Sequence, residues 1–423
     1  MLFAYGSASK AAVVSLHANL KFYLKIVQYF DNIITIMYIQ REIEAYIKLL
    51  ARQFPAVTLL GPRQSGKTTL VRRLFPNYSY VNLELPDDRL LAEEDPQSFL
   101  RKYKTPLIVD ELQRVPKLLS YVQVAIDQNR KEKGAYIFTG SHQTELRSAV
   151  SQSLAGRNAI AYLLPLSITE LTKDAKDLDR DGYIFKGFMP ELYEEDLSPT
   201  TYYRQYYRTY VERDIRQLAH IKNLQQFEVF IRLLAGRVGQ VLNMSDIANS
   251  TGMSVPTIKE WLNILEASFI TFRLYPYFNN FGKRLIKSPK IYFTEPGLAS
   301  YLLGIRETSH VSNGPFLGQL FENVVIMEAL KRRHNSGEDT NLYFYRDNSG
   351  LEADIIIDFF DHVLPVEIKA SQTFSKDFFS ELVRLGKVSP HIQPGIVIYA
   401  GDLESEFKGM RAVNFKKTAS LFS

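Results

Sequence analysis

Eight consecutive residues, Gly61-Pro62-Arg63-Gln64-Ser65-Gly66-Lys67-Thr68, carry the spacing G-x-x-x-x-G-K-[ST] of a loop that cradles phosphates. With no Cβ, Gly66 lets the backbone wrap phosphate oxygens; Lys67 can reach the terminal phosphates, and the Thr68 hydroxyl can coordinate magnesium. Thr69 continues the set into a helix whose N-terminal amides and dipole favour the same anion. The expected ligands are ATP and Mg2+. ATP is favoured over GTP because no Asn/Thr-Lys-x-Asp guanine-reading run stands near the expected position. Asp110 and Glu111 are the expected partners, Asp110 holding magnesium through water and Glu111 polarising the attacking water. The plainer alternative is an acidic pair that caps the next helix. Thr139, Ser141 and His142 are placed to sense the γ-phosphate, although Gly140-Ser141 could equally be a turn. Arg157, in Gly156-Arg157, is either an arginine that stabilises charge during transfer, in cis or from a neighbouring subunit, or a surface ion pair.

A second set of chemistry-bearing residues stands near the C-terminus, in GLEADIIIDFFDHVLPVEIKA. Residues two apart on a strand share a face, so Glu352 and Asp354 point one way on one strand, and Glu367 and Lys369 do so on the next. Adjacent strands would gather Asp354, Glu367 and Lys369, with Glu322 added from the preceding helix in GQLFENVVIMEAL. Carboxylates so placed hold magnesium, and the lysine orients water attacking phosphorus. The competing reading is a solvated strand face, since alternating acids and Glu-x-Lys are common.

The elements that would position these groups are legible. Ala56–Leu60 is a short apolar strand running into the phosphate loop, and 106–109 is a continuous apolar run delivering Asp110 at its end, as for a strand buried on both faces. A third such strand ends at Thr139. TTYYRQYYRTYVERDIRQLAHI repeats Tyr, Ile and Leu at helical spacing and is expected to be a lid helix; its Arg204, Arg208, Arg213 and Arg216 are expected on a solvated face. In LNMSDIANSTGMSVPTIKEWLNILEAS, Ser245 and Ser254 are expected N-caps and Gly252 a break, giving helix, turn, helix. Two strands around Asn279-Asn280 and Gly282 would complete a winged helix. Lys259, Lys283, Arg284, Lys287 and Lys290 would then meet DNA phosphates, or the module would serve internal docking instead.

At 423 residues, 46% hydrophobic and 23% charged, the chain is long enough for about three domains. Its net charge of +5 permits nucleic-acid binding without demanding it. The absence of cysteine excludes disulfides and thiolate metal sites and fits a cytoplasmic protein. The apolar stretch LKIVQYFDNIITIMYI carries Lys25, Asp31 and Asn32, so no membrane span is expected. Residues 1–36 are expected to be an extension without a function of its own. Met37 then opens an amphipathic helix that leads to the first strand.

GPRQSGKTTL, LIVDELQRVP, FTGSHQ and SLAGR followed by PLS resemble the AAA-type ATPase domain of a widespread prokaryotic family. In that family a winged helix and a C-terminal restriction-endonuclease-like domain of unknown function follow. KGFMPELYEED is similar to the family's glycine-proline turn, whereas Gly140-Ser141-His142-Gln143 departs from its usual consecutive serines. Asp354, Glu367 and Lys369 also resemble the PD-(D/E)XK nuclease pattern, here with Ala353 before the aspartate. The resemblance implies an α/β P-loop domain with a helical lid over 37–220, a winged helix over 221–305 and a restriction-endonuclease-like α/β domain over 306–423. The expected function is magnesium-dependent ATP hydrolysis coupled to engagement of DNA or a partner. The alternatives are a slow nucleotide-dependent switch with an inactive nuclease-like tail, and an ATP-licensed nuclease.

Overall fold

Four- and five-residue apolar runs build the first sheet in the computed structural model of the chain. The model describes residues 38–141, 146, 150, 152–195, 197–215, 223–278 and 287–422. The expected extension 1–36 therefore lies outside the described residues, as do Met37, His142, Arg216, Lys283, Arg284 and the side chain of Arg213. The chain divides between Gln40 and Arg41, and every element below belongs to the second unit. Tyr38–Gln40, the described part of the first unit, carry no helix or strand.

β1 (Ala56–Leu60), β2 (Ser79–Asn82), β3 (Leu107–Asp110), β4 (Tyr136–Gly140) and β5 (Asn158–Tyr162) form one sheet in the order β2-β3-β4-β1-β5. Each neighbouring pair is parallel. The three inner strands are buried along their whole length, the signature of a sheet covered on both faces, whereas edge strand β5 alternates buried and half-buried residues. This order sets the C-terminal ends of β1, β4 and β3 side by side, the end at which open α/β sheets take ligands. The helix expected from Met37 begins only at Glu44, running to Gln53.

A set of short helices follows the sheet. Pro199–Tyr206 is α-helical and widens into a π-helix over Tyr207–Ile215. Along it the buried Tyr202 and Tyr206 rings stack at 6.2 Å and Tyr206 meets Tyr210 edge-on at 5.3 Å, while Arg204 and Arg208 are exposed as expected. Helices Leu224–Ala235, Met244–Thr251 and Val255–Ala267 come next, with β6 (Thr271–Leu274) and β7 (Lys290–Phe293) paired antiparallel. Ser254 caps its helix as expected, accepting from the Thr257 amide. The cap expected at Ser245 is instead Asn243, whose side chain accepts from the Asp246 amide. An asparagine one residue before the helix satisfies an otherwise orphaned amide that Ser245, already inside the helix, could not.

The last layer is a mixed six-stranded sheet ordered β12-β13-β11-β10-β9-β8, from β8 (Leu342–Arg346), β9 (Glu352–Phe359), β10 (His362–Lys369), β11 (Ile396–Tyr399), β12 (Ser405–Phe407) and β13 (Met410–Asn414). The backbone beyond β6 runs beside β8, with the Tyr277 amide donating to the Phe344 carbonyl at 2.7 Å. The 20-residue helix Leu317–Ser336 precedes this sheet and is buried on most of its circumference. It meets β5, the Glu44–Gln53 helix, the Arg180–Lys186 helix and β10. Three of its buried polar residues are paired: Asn323 bonds both backbone groups of Phe293 at 2.8 Å, and Glu328 and Lys331 pair with each other at 2.7 Å. Glu328 accepts from the Ile168 amide, and Lys331 donates to the Leu166 carbonyl. Among the described residues no helix is long and apolar enough to cross a membrane.

Candidate functional site

The phosphate loop joins β1 to the Lys67–Leu74 helix. A Cβ on Gly61 would strike the Leu163 carbonyl oxygen. Gly66 takes φ 89°, a conformation that costs glycine nothing. Gln64 takes φ 61° and stands exposed, while Pro62 and Ser65 are buried; the Ser65 hydroxyl donates to the Pro62 carbonyl at 3.0 Å. Arg63 is half-buried, its guanidinium 5.5 Å from the centre of the Tyr210 ring. The buried Lys67 ammonium donates to the carbonyls of Gly61 at 2.9 Å and Pro62 at 2.7 Å. Burial pushes its pKa down to about 8 against the opposing pull of Glu111 and Asp110. Thr69 faces outward on the first turn of the helix.

Asp110, at the end of β3, is the meeting point. One of its oxygens accepts from the Thr68 hydroxyl at 2.9 Å and from the Tyr80 hydroxyl at 2.8 Å; the other accepts from the Thr139 hydroxyl at the end of β4. Burial and Asp110 together push the Tyr80 hydroxyl well above its usual range. Thr68 and Asp110 thus offer two adjacent oxygens of the kind that hold magnesium, so the residues fit that ion. Glu111 takes φ 57°, which turns its side chain away from that of Asp110. Its carboxylate is held by the Ser141 hydroxyl at 3.1 Å and by the Gln113 amide. Ser141, expected to face phosphate, bonds Glu111 instead.

Two participants were not legible in the sequence. Buried Arg41 donates to the Ser65 carbonyl at 2.8 Å, the Leu164 carbonyl at 2.7 Å and Glu170 at 3.1 Å, bracing the phosphate loop from below. An isolated arginine at the start of an amphipathic helix ordinarily reads as solvated. Gln64 is gripped from the lid, its carbonyl oxygen accepting from the Tyr202 hydroxyl at 3.0 Å. The tyrosine density of that helix was the available signal.

Arg157 is corrected. It immediately precedes β5, at the N-terminal edge of the sheet, roughly 16 Å by strand length from the phosphate-loop end. There its guanidinium is paired with Asp127 at 2.8 and 2.9 Å. A γ-phosphate role in its own subunit is excluded by this position.

The C-terminal candidates do converge. Glu322, Asp354, Glu367 and Lys369 line one cleft of about 790 Å³, together with Glu352, Gly239 and Lys290. The antiparallel register of β9 and β10, last paired at Ile355 and Val366, sets Asp354 across from Glu367. Asp354 accepts from the Ile368 amide at 2.8 Å, and Lys369 donates to Glu367 at 2.6 Å. Burial raises Glu322 to about 7 and Glu367 to about 8, with Asp354 pushing both further up and Lys290 and Lys369, respectively, opposing.

Lys290 is a second correction. Expected on the basic wing, it is only 3% exposed and lies inside the cleft, 2.8 Å from Glu352 and 3.1 Å from Glu322. A lysine is buried this way only where carboxylates offset its desolvation, and three stand around it. Of the other basic positions, Lys259 and Lys287 are exposed. On the same helix as Lys259, Asn263 accepts from Arg273 at 3.1 Å.

Residues 53–172 match an AAA domain, residues 177–309 a domain of unknown function (DUF8612), and residues 317–418 a second domain of unknown function (DUF4143). An uncharacterized protein of Mycobacterium tuberculosis is 28% identical over 367 residues, which span 86% of this chain and 80% of that one. An uncharacterized protein of Methanocaldococcus jannaschii is 25% identical over 356 residues, spanning 75% of each. Among solved structures, a Walker-type ATPase of Pyrococcus abyssi aligns with a TM-score of 0.40 at 14% identity, over 63% of this chain and 96% of that one. Along the sequence, then, an AAA-type P-loop domain is followed by two domains of unknown function.

Proposed function

We propose that the chain binds ATP on the 61–69 loop, hydrolyses it, and passes its nucleotide state to the C-terminal elements. One observation carries the reading: Asp110 stands within hydrogen-bond reach of Thr68 beside the phosphate loop and of Thr139 at the next strand end. ATP would replace the Gly61 and Pro62 carbonyls as the partners of the Lys67 ammonium. Magnesium, held by Thr68 and Asp110, would neutralise charge on the phosphates. Glu111 would orient the attacking water once released from Gln113 and Ser141. Arg157, engaged with Asp127, receives no role. The domain limits that suit this reading are 37–220 for the ATPase with its lid, 221–305 for a winged helix and 306–423 for a restriction-endonuclease-like domain.

The test is steady-state ATP hydrolysis by the full chain with magnesium. Lys67→Ala and Glu111→Gln should each lower turnover by roughly a hundredfold or more, with Glu111→Gln retaining ATP binding. Unchanged turnover in both variants would sink the assignment.

A second reading is favoured by a specific observation, the convergence of Glu322, Asp354, Glu367 and Lys369 in one cleft. In it the C-terminal domain engages nucleic acid and, in its strongest form, cleaves it under licence from ATP. Lys259 and Lys287 are exposed and would be available for phosphate contact. Supercoiled plasmid nicked by the wild type and not by Lys369→Ala would support cleavage. Intact plasmid with both proteins would leave a slow nucleotide switch whose tail is a binding surface.

A further inference from the structure

β7 belongs to the middle of the chain, yet the ammonium it carries sits among carboxylates of two C-terminal elements. Lys290 Nζ lies 3.1 Å from Glu322 Oε1 on the long helix, 2.8 Å from Glu352 Oε1 and 3.6 Å from Asp354 Oδ1 on β9. The position is not accidental to a floppy side chain. The backbone of Lys290 pairs with Leu274 on β6 on one side and bridges to Val241 on the other. Its ammonium also stands 5.6 Å from the centre of the Phe344 ring. Tyr292, two residues on and so on the same face of β7, donates its hydroxyl to the same Glu322 oxygen. Gly239, at φ 73°, brings its Cα close enough that a Cβ would press on the Glu322 carboxylate. Several fixed contacts therefore converge on one arrangement, in which a cation of the protein's own occupies the point toward which three acids from two elements are aimed.

Oxygens converging in this way are how proteins hold hard divalent ions. An ammonium and a divalent cation cannot share one such point, because both need the same oxygens and repel each other at that range. We propose that Lys290 is a built-in counter-ion of the C-terminal cleft. It competes with a divalent cation for Glu322, Glu352 and Asp354, and the cleft takes up the metal only when β7 withdraws the lysine. The proposal rests on reading this cleft as a nuclease-like acidic set.

The fold also offers a means of withdrawal. Two residues beyond the end of β7, the buried Glu295 carboxylate accepts from the Phe188 amide at 2.9 Å and from the Tyr203 hydroxyl at 2.8 Å. The neighbouring Tyr202 bonds Gln64 of the phosphate loop. Through these bonds a shift of the lid on the loop would, under this proposal, reach the strand that carries Lys290.

The test titrates Mn2+ into the nucleotide-free full chain, read by calorimetry and by water proton relaxation. Lys290→Met should bind one Mn2+ at least about tenfold more tightly than the wild type, since a buried positive charge has been removed from the site. The gain should vanish in Lys290→Met with Asp354→Asn, and should be absent in Lys290→Arg. The melting temperature of Lys290→Met should rise with Mn2+ while that of the wild type does not. If Lys290→Met does not fold, Lys290→Gln is titrated in its place, with the same gain in Mn2+ binding expected and its absence overturning the proposal. Tight binding by the wild type that is lost in Asp354→Asn overturns it, leaving the nuclease-like reading of the cleft standing. Folded Lys290→Met with no added Mn2+ site overturns both. ATP hydrolysis is read at Lys67 and is untouched by either result.

Discussion

Lys67 is the residue whose chemistry the tertiary environment changes most usefully. Its ammonium, buried beneath the loop and bonded only to carbonyls, is pushed down to about 8 by burial. Phosphate oxygens would stabilise the charged form, so its pKa must be higher in the nucleotide complex. The sign follows. Below about pH 8 the lysine is protonated in both states and ATP affinity is flat; above that value the free protein loses the proton that the complex keeps. Affinity is therefore expected to fall by up to about tenfold per pH unit from pH 8 upward. Calorimetry in buffers of different ionisation heat should show proton uptake on ATP binding near pH 8.5. Binding that is pH-independent up to pH 10 would contradict a depressed Lys67. Glu322 and Glu367 in the distal cleft shift the other way, since burial of a carboxylate raises its pKa.

At the scale of elements, the turn at Gly187 shows how little freedom the lid has. Gly187 takes φ 70°, and a Cβ there would collide with the Glu295 carboxylate and the Tyr203 hydroxyl. One oxygen of that carboxylate, Oε1, accepts from the Phe188 and Gly297 amides and the Tyr203 hydroxyl, and burial raises its pKa. Gly187→Ala combines a left-handed backbone with a clash in a buried polar network. It is expected to cost roughly 2–3 kcal/mol, seen as a lower midpoint in urea unfolding. A change within about 0.5 kcal/mol would mean that the turn relaxes and that Glu295 does not fix the lid. The glycine-proline pattern was visible in the sequence, but its partner, more than a hundred residues away, was not.

For the whole molecule, the Leu317–Ser336 helix is the member on which the others rest. It bonds to the backbone at Ile168 and Leu166 through Glu328 and Lys331, and to β7 through Asn323. The regions matching three separate family descriptions are therefore packed as one unit and not strung as beads. A non-hydrolysable ATP analogue is accordingly expected to change hydrogen exchange at the loop, at 187–203, and further along at 290–303. Mass spectrometry of exchanged peptides would show this. Changes confined to 56–75 would mean that the nucleotide state does not travel beyond its own loop.

Local rules account for what the sequence determined. The phosphate loop, β1, β3 and β4, the meeting of Thr68 with Asp110, and the alternation of acids on β9 and β10 all follow from spacing, side-chain period and backbone freedom within a few residues. The tertiary structure decided what depends on partners distant in the chain. Position along the chain placed Lys290 on a wing and left Arg157 open between a phosphate contact and a surface ion pair. Only packing shows the first enclosed by Glu322, Glu352 and Asp354, and the second bound to Asp127 at the wrong end of the sheet. Arg41 and Gln113 went unnoticed for the same reason. A polar side chain carries no local mark of what it will bond, because the desolvation that gives the bond its weight exists only once the chain has folded around it.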